Sequence, residues 1–337
     1  MSSPSQIHTN RIQVTDSSPK PRRGVPPQGE GGFDECWFPV GLSSEVETGK
    51  AFSRAFLDGR VVVFRGEDGE AKVLSPFCRH LGADLAMGEV VGNDIRCAFH
   101  HWKYDRGGQC NHIPSTTRIP KTAQLFNFPT AEKWGLIWAF NGMEPGYDLP
   151  YFQEQDQDLI FQTAAVADHP VDHWSLLSNS VDFQHLRFVH GLDFDAAPDE
   201  INWSKTGLEY PMAFIDPTMG RMDQYIKVFG TNVITLSGSV GGMPSLSMYA
   251  GTPVPGGLTR GYTVAATRGD AGSPEQLQGV LDMTQQFFVK LIEDDTPIQN
   301  SLRFREDHLV EGDQALGRFF AYLRNYPRSH HSQAFIT

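Results

Sequence analysis

The sequence has few cysteines, no excess of positive charge and no long apolar run. Its 337 residues include four cysteines, and 28 Lys and Arg residues stand against 40 Asp and Glu residues, for a formal net charge of −12. This balance argues against nucleic acid or an anionic membrane as the main partner. No apolar run approaches the roughly 20 residues that span a bilayer. The opening residues, MSSPSQIHTN, also lack the apolar stretch of a signal peptide, so we expect a cytoplasmic protein.

Nucleotide-binding motifs are absent as well. The segment ETGK has no glycine at Walker spacing, and GEGG precedes no helical pattern. Any chemistry that needs NADH is therefore expected to depend on a second protein. In a reducing compartment a chain of this length does not need disulfides, so cysteines near histidines are better interpreted as metal ligands or catalytic groups.

The sequence pattern predicts an arm and two domains. Residues 1–32 are rich in Pro, Ser, Gly and charge, which is typical of a mobile arm. Residues 33–145 hold short strand patterns with close turns, which predicts a small all-β domain. The turn-rich segment NGMEPGYDLPYF follows, and residues 146–337 combine helical patterns with strand-like alternation over 208–268. We therefore expect an α+β second domain, with helices over 275–305 and 313–326.

Two cysteines and two histidines form mixed pairs, as CRH at 78–80 and CAFH at 97–100. Zinc fingers pair Cys with Cys and His with His, whereas each pair here offers one sulfur and one nitrogen. Such pairs suit a Rieske [2Fe–2S] cluster, in which two Cys hold one iron and two His hold the other. Cys78, His80, Cys97 and His100 are thus the predicted cluster ligands, with a structural zinc site as the alternative. Cys36 and Cys110 are expected to be ordinary buried thiols.

A second group lies in NSVDFQHLRFVHG, within a predicted helix. Asn179, Asp182 and His185 are three residues apart and would share a helix face. His190 is five residues beyond His185, so both imidazoles reach one ion only if the helix ends or distorts between them. Gly191 suits such an end. Two histidines and one carboxylate with open positions form the site of non-haem Fe(II) oxygenases.

The third metal ligand must come from elsewhere, and EDDTPIQN offers three carboxylates. Asp295 follows Phe288, Leu291 and Ile292 at helical spacing, so it lies on the apolar face, where a lone carboxylate is costly to bury unless it is paired or metal-bound. Asp294 lies at the edge of that face. We predict Asp295 as the ligand and keep Asp294 as the alternative; Pro297 is expected to break the helix nearby.

Together these residues resemble the Rieske non-haem iron oxygenases, in particular their oxygenase (alpha) component. The segments concerned are CRHLGADLAMGEVVGNDIRCAFHHWKYDRGGQC, NSVDFQHLRFVH and EDDTPIQN. The runs CRHLGADLAMGEV and DTPIQN are similar to the 3-ketosteroid 9α-hydroxylase branch. WFPVGLSSEV and WGLIWAFNG are also similar to the branch of aromatic monooxygenases and demethylases.

The resemblance implies a helix-grip catalytic domain, with a central antiparallel sheet flanked by helices, and a homotrimer. It also implies that an aspartate, here Asp182, connects His185 to His100 of the neighbouring subunit by hydrogen bonds. Such a carboxylate would fix the tautomers of both imidazoles. Asn179 matches a family position near the iron and is predicted, with Asp182, as a catalytic residue.

The expected function is that of a terminal oxygenase. An NAD(P)H-dependent reductase, directly or through a ferredoxin, would supply electrons, and O₂ would hydroxylate a C–H bond of an apolar, steroid-like or aromatic substrate. The cofactors would be a [2Fe–2S] Rieske cluster and a mononuclear Fe(II) ion. Two alternatives are an oxidative O- or N-demethylase of a smaller aromatic and a Rieske electron-transfer protein without oxygenase activity.

Overall fold

The first part of the chain consists of short antiparallel strands, as predicted. The structure is a computed structural model and describes residues 24–216, 220–305 and 308–337. Of the arm predicted over 1–32, residues 1–23 lie outside the described residues. The strands up to residue 140 are β1 (Phe33–Asp34), β2 (Trp37–Leu42), β3 (Ala51–Phe56), β4 (Gly59–Arg65), β5 (Ala71–Leu74), β6 (Glu89–Val91), β7 (Asp94–Arg96), β8 (Lys103–Tyr104), β9 (Cys110–His112), β10 (Thr130–Lys133) and β11 (Leu136–Phe140).

These strands form small sheets, and strand β4 of one sheet separates two apolar cores. The sheets have the orders β3-β4-β5, β6-β7-β8-β9 and β10-β11-β2. Successive side chains of a strand point to opposite faces. Val61 and Val63 accordingly enter one apolar core, and Val62 and Phe64 enter the core that contains Cys78. The run GRVVVFR is continuously apolar at its centre because both of its faces are buried.

The second part of the chain is an antiparallel sheet with helices against it, so the α+β class is confirmed. Its sheet has the order β12-β19-β18-β17-β16-β15-β13, with β14 beside β15. The elements are β12 (Leu159–Ala165), α1 (His173–Ser178), α2 (Phe183–Phe188), β13 (Asp193–Asp195), β14 (Asn202–Trp203), β15 (Gly207–Asp216), β16 (Gly220–Phe229), β17 (Val233–Val240), β18 (Met243–Val254), β19 (Leu258–Arg268), α3 (Pro274–Ser301), α4 (Gln314–Asn325), β20 (Arg328–Ser329) and α5 (Gln333–Ile336).

The long helix α3 packs across β18 and β19. Its start is fixed by a capping box in which Ser273 and Gln276 each bind the other's backbone N–H. The prediction that Pro297 breaks this helix is wrong, because α3 continues to Ser301. Proline has a helical φ and costs the helix the bond to the carbonyl four residues earlier. That carbonyl belongs to Glu293, which is an exposed residue, so water can donate a hydrogen bond to the carbonyl instead.

The segment predicted as one helix over the first iron ligand is two short helices. Helix α1 ends at Ser178 and α2 begins at Phe183. The hydroxyl of Ser178 donates to the carbonyl of Ser175 at 2.7 Å, and that of Ser180 donates to Leu177 at 2.7 Å. Such bonds offer the backbone an alternative to the helix, which explains why the predicted continuous face of Asn179, Asp182 and His185 does not form.

The end of the chain returns to the first domain. Strand β20 pairs with β1, and Ile336 lies in the same core as Val61 and Val63. A buried carboxylate, Asp34, joins the parts: it accepts a hydrogen bond from Thr231 at 2.6 Å and from Arg328 at 2.8 Å. The division predicted between residues 145 and 146 stays a prediction.

Among the described residues, no helix has the length and apolar character needed to cross a bilayer.

Candidate metal centres and adjoining cavity

Local structure around α2 places two histidines side by side. Asp182 caps the helix, and its Oδ1 accepts a hydrogen bond from the backbone N–H of His185 at 3.2 Å. The helix ends at Phe188, before His190, as the five-residue spacing predicted. Gly191 then takes φ +66°, a left-handed conformation that glycine adopts without strain. This turn returns His190 to His185, and their Nε2 atoms lie 3.0 Å apart.

Asp295 of helix α3 completes this group. Its Oδ1 lies 3.0 Å from Nε2 of His185 and 3.3 Å from Nε2 of His190. These three side chains offer ligand atoms that all lie within 4.8 Å of one another. A transition-metal ion holds such atoms at about 2.1 Å, so ligands at right angles around it lie about 3 Å apart. The observed separations therefore fit three ligands on one face of an ion.

The charge state of Asp295 is consistent with a ligand role. The residue is 5% exposed, and its Oδ1 has no partner with hydrogen-bond geometry among the described residues, although both imidazoles are near. Burial opposes ionisation, but the neighbouring His185 and His190 lower the pKa of this carboxyl below its usual value. This buried carboxylate, whose unpaired oxygen faces two imidazoles, is therefore suited to bind a metal cation.

Asn179 lies behind this carboxylate rather than between the histidines. As the C-cap of α1, it directs Nδ2 to Oδ2 of Asp295 at 2.7 Å. One carboxylate oxygen is thus held by the amide, while the other faces the imidazoles. Asn179 therefore positions Asp295, a role that its spacing from His185 did not indicate.

The geometry also separates the two candidate aspartates of α3. Asp294 is outside the group: its Oδ2 lies 3.8 Å from Nδ1 of His190, and its Oδ1 contacts Lys290. Nδ1 of His190 is buried without another partner among the described residues. Asp294 thus lies beside His190 without a hydrogen bond to it, and Asp295 is the carboxylate that converges with the histidines.

The mixed Cys/His pairs form two matching loops at one end of the first domain. Gly82 N–H donates to the carbonyl of Cys78 at 2.9 Å, and His101 N–H donates to that of Cys97 at 3.1 Å. Both closing residues are left-handed, with φ +78° and +59°. A positive φ is uncommon for a non-glycine residue. His101 therefore serves as a turn residue, which the sequence did not reveal.

Within these loops the sulfurs are buried and the imidazoles are exposed. Cys78 and Cys97 are 3% and 1% exposed, whereas His80 and His100 lie at the surface with ring centroids 4.6 Å apart. Burial raises the pKa of the Cys78 thiol. A coordinating metal deprotonates such a thiol outright. Paired sulfurs on the inside and paired nitrogens on the outside fit the two irons of a Rieske cluster.

Two aromatic residues that sequence reasoning missed support this arrangement. Trp102 stacks on His80, with centroids 4.7 Å apart and planes 4° from parallel. The hydroxyl oxygen of Tyr104 accepts a hydrogen bond from the backbone N–H of Arg79 at 2.9 Å and lies 3.2 Å from Sγ of Cys78. Their signal was the run HWKYD directly after the second pair.

A cavity of about 90 Å³ adjoins the group of His185, His190 and Asp295. Apart from the metal group, the wall is mainly apolar and comes from the sheet and the helices. The lining residues are Leu176, Leu177, Asn179, Ser180, Leu186, Tyr210, Met212, Phe214, Ile226, Ile234, Leu236, Tyr249, Phe288, Leu291 and Ile292.

Comparison with known proteins identifies the first domain. Residues 36–128 match the family model of the Rieske [2Fe–2S] domain. This chain contains a Rieske domain. The matched segment includes all four predicted cluster residues, so the cluster that the sequence predicted is confirmed as the cofactor of this domain.

The curated relatives that match this chain include proteins named as oxygenases. The oxygenase component of 3-ketosteroid-9-alpha-monooxygenase from Rhodococcus rhodochrous is 29% identical over 165 residues, which are 47% of this chain and 43% of that protein. Aminopyrrolnitrin oxygenase PrnD from Pseudomonas fluorescens is 30% identical over 203 residues, 56% of this chain and 54% of that protein. The matches thus span about half the length of these relatives.

Solved structures extend the likeness over both domains. Dicamba monooxygenase bound to dicamba has a TM-score of 0.68 at 19% identity, with 87% of this chain and 98% of that chain covered. NdmA from Pseudomonas putida CBB5, as the QL mutant with caffeine, has a TM-score of 0.66 at 21% identity, with 86% and 89% covered. The resemblance to Rieske oxygenases is confirmed at the level of the fold.

Proposed function

We propose that the protein is the terminal oxygenase component of a multicomponent Rieske oxygenase. The reaction is the hydroxylation of an apolar ring substrate: one C–H bond, O₂, two electrons and two protons give one C–OH group and water. The observation that carries the proposal is the convergence of His185, His190 and Asp295 on an apolar cavity in a chain that also has a Rieske domain.

Seven side chains are the proposed ligands of the two metal centres. Cys78 and Cys97 would hold the inner iron of the cluster, and His80 and His100 the outer one. His185, His190 and Asp295 would hold the mononuclear Fe(II), whose chemistry when bound is the reductive activation of O₂. Around that centre the apolar wall excludes water and places the substrate, Asn179 holds the carboxylate, and Asp182 fixes the start of the helix that carries the first histidine.

The partners are inferred from the absence of a nucleotide-binding motif in the sequence and from the exposed side chains near the cluster residues. Because no nucleotide motif is present in the sequence, electrons would come from an NAD(P)H-dependent reductase, directly or through a ferredoxin. Exposed apolar side chains adjoin the exposed His80 and His100 in the chain: Leu81 and Phe99 are 67% and 63% exposed. Exposed apolar patches mark interaction sites. We assign this patch to a second copy of the chain in a homotrimer, where Asp182 would reach the neighbouring His100. The cytoplasmic location stays a prediction.

Oxidative demethylation is the second candidate function. It is supported by the fold shared with the protein solved with caffeine and with the one solved with dicamba. Hydroxylation of a carbon attached to O or N gives a product that collapses and releases an aldehyde. Both outcomes use the same centre and differ only in the substrate that the cavity admits.

An iron assay tests the proposal against simple electron transfer. Protein purified without oxygen should contain about three irons and two acid-labile sulfides per chain, since a Rieske cluster accounts for two irons. Asp295→Ala should reduce the count to about two and leave the reduced-cluster EPR signal intact. A count of two irons in the parent protein would indicate a carrier without an oxygenase centre.

Turnover then separates hydroxylation from demethylation. The protein, supplied with a general reductase and NADH, would be given a panel of steroids and methoxy- or N-methyl-substituted aromatics under ¹⁸O₂. One labelled oxygen in an alcohol supports hydroxylation, and release of formaldehyde supports demethylation. Asp295→Ala serves as the matched control in every reaction.

A further inference from the structure

One polar atom in the cavity wall has no partner and does not belong to the metal group. The hydroxyl of Tyr249 is buried, with the residue 2% exposed, and it has no hydrogen-bond partner among the described residues. Tyr249 lines the cavity from strand β18. Leaving a buried hydroxyl unpaired costs about 1–3 kcal/mol, so such a group needs a reason.

The other polar side chains of the wall already have protein partners. Asn179 is bound to Asp295, and the hydroxyl of Ser180 donates to Leu177. The hydroxyl of Tyr210 donates to the carbonyl of Ser180. Within the described part of the wall, Tyr249 therefore carries the buried hydroxyl that has no protein partner.

Strands β18 and β19 hold the ring of Tyr249 in place. Gly251 and Gly261 are directly paired across these strands. A methyl group at Gly261 would lie 2.8 Å from Cε2 of Tyr249 and 2.3 Å from a methyl carbon of Val166, and one at Gly251 would lie 3.3 Å from the Tyr249 hydroxyl. Two glycines thus leave the space that the phenol occupies, and the ring is confined between neighbours.

Burial also keeps this phenol protonated, because it raises the pKa of Tyr249 well above its usual value. A neutral phenol is a hydrogen-bond donor at any physiological pH. A site with one such donor and an otherwise apolar wall selects ligands that carry one acceptor, since a ligand without it leaves the donor unpaired.

We propose that Tyr249 is a specificity-determining residue that donates a hydrogen bond to an acceptor oxygen, such as a ketone carbonyl, on an otherwise apolar ring ligand. This inference rests on the proposed function of the cavity and adds the polar group by which the ligand is oriented. It concerns equilibrium binding, so it is measured independently of turnover.

The test compares ligands that differ only in the carbonyl. Calorimetry would measure binding of 1-tetralone and of tetralin to the iron-loaded full chain, and of fluorenone and fluorene as a larger pair. We expect each ketone to bind about 3- to 10-fold more tightly than its hydrocarbon. In Tyr249→Phe this preference should fall to about 1-fold, while the affinity for the hydrocarbon stays or improves.

A second readout examines the protein without ligand. Because Tyr249→Phe removes an unpaired hydroxyl, its Tm should rise, by roughly 1–3 °C. Tyr210→Phe is the matched control: it loses a hydroxyl that is paired with Ser180, so its Tm should fall and its ketone preference should persist. A ketone preference that is absent from the parent protein, or unchanged in Tyr249→Phe, would overturn the proposal. Failure of the oxygenase proposal would instead be seen in the iron count.

Discussion

Replacing Asn179 with alanine should weaken iron binding at the mononuclear centre and leave the Rieske cluster unchanged. The amide donates to Oδ2 of Asp295 at 2.7 Å, and that carboxylate is 5% exposed. A hydrogen bond to a charged group contributes about 1.5–3 kcal/mol. At 1.4 kcal/mol per factor of ten, this corresponds to about 10- to 100-fold in iron affinity, which is the range found when partners of metal ligands are removed.

The assay is a competition between the protein and a ferrous chelator under anaerobic conditions. Iron would be counted after gel filtration, and the visible absorption of the Rieske cluster would serve as an internal standard for intact protein. Ser180→Ala is the matched control, because Ser180 lines the same cavity but its hydroxyl binds only the backbone of Leu177. Parent-like iron affinity in Asn179→Ala, or equal loss in both variants, would refute the positioning role.

Three further predictions concern carboxylates outside the ligand group. Asp294→Asn should lower turnover only a few-fold, measured as kcat at constant iron content, since Asp294 lies 3.8 Å from His190 and is partly exposed; complete iron loss would contradict this. Asp182→Asn should keep the helix cap, the Tm and both metal centres, because Asn also caps helices well. Its turnover should nevertheless collapse if Asp182 connects the subunits, and near-normal turnover would contradict that role. Burial alone would raise the pKa of the Asp34 carboxyl, but His173, Arg328 and Thr231 together lower this pKa below its usual value. The ionised Asp34 therefore stabilises the fold above about pH 4, and this contribution is lost as the pH falls through the lower pKa of the folded state. Urea unfolding between pH 2 and 6 should show that the free energy of unfolding depends less steeply on pH in Asp34→Asn than in the parent protein. Parallel curves for the two proteins would refute the assignment.

The metal-binding pattern could be predicted from the sequence because its information is local. Each Cys/His pair falls within four residues, and each loop is closed by two backbone hydrogen bonds at its cysteine. The same holds for His185 and His190, whose five-residue spacing required a helix end that the structure contains at Phe188. The choice of Asp295 over Asp294 also followed from helical spacing, because α3 is regular through this region.

Other features depend on contacts that spacing does not record. The break between α1 and α2 results from hydroxyl groups that bind the local backbone, and a periodic pattern does not reveal it. The role of Asn179 depends on a partner 116 positions away. Tyr249 is a tyrosine within an apolar strand pattern, and the absence of a partner for its hydroxyl becomes evident only when its surroundings are assembled.

The pairing of the last strand with the first one has a consequence for biosynthesis. Arg328 and Asp34 are 294 positions apart, yet they meet beside the sheet that opens the fold. Domains usually fold one after another as the ribosome delivers them. Here Asp34 and the core around Val61 gain their partners Arg328 and Ile336 only after those residues have been synthesised, so we expect iron and sulfide to be inserted after that point. A nascent chain stalled before residue 328 should accordingly be more sensitive to protease in its first domain than the released protein.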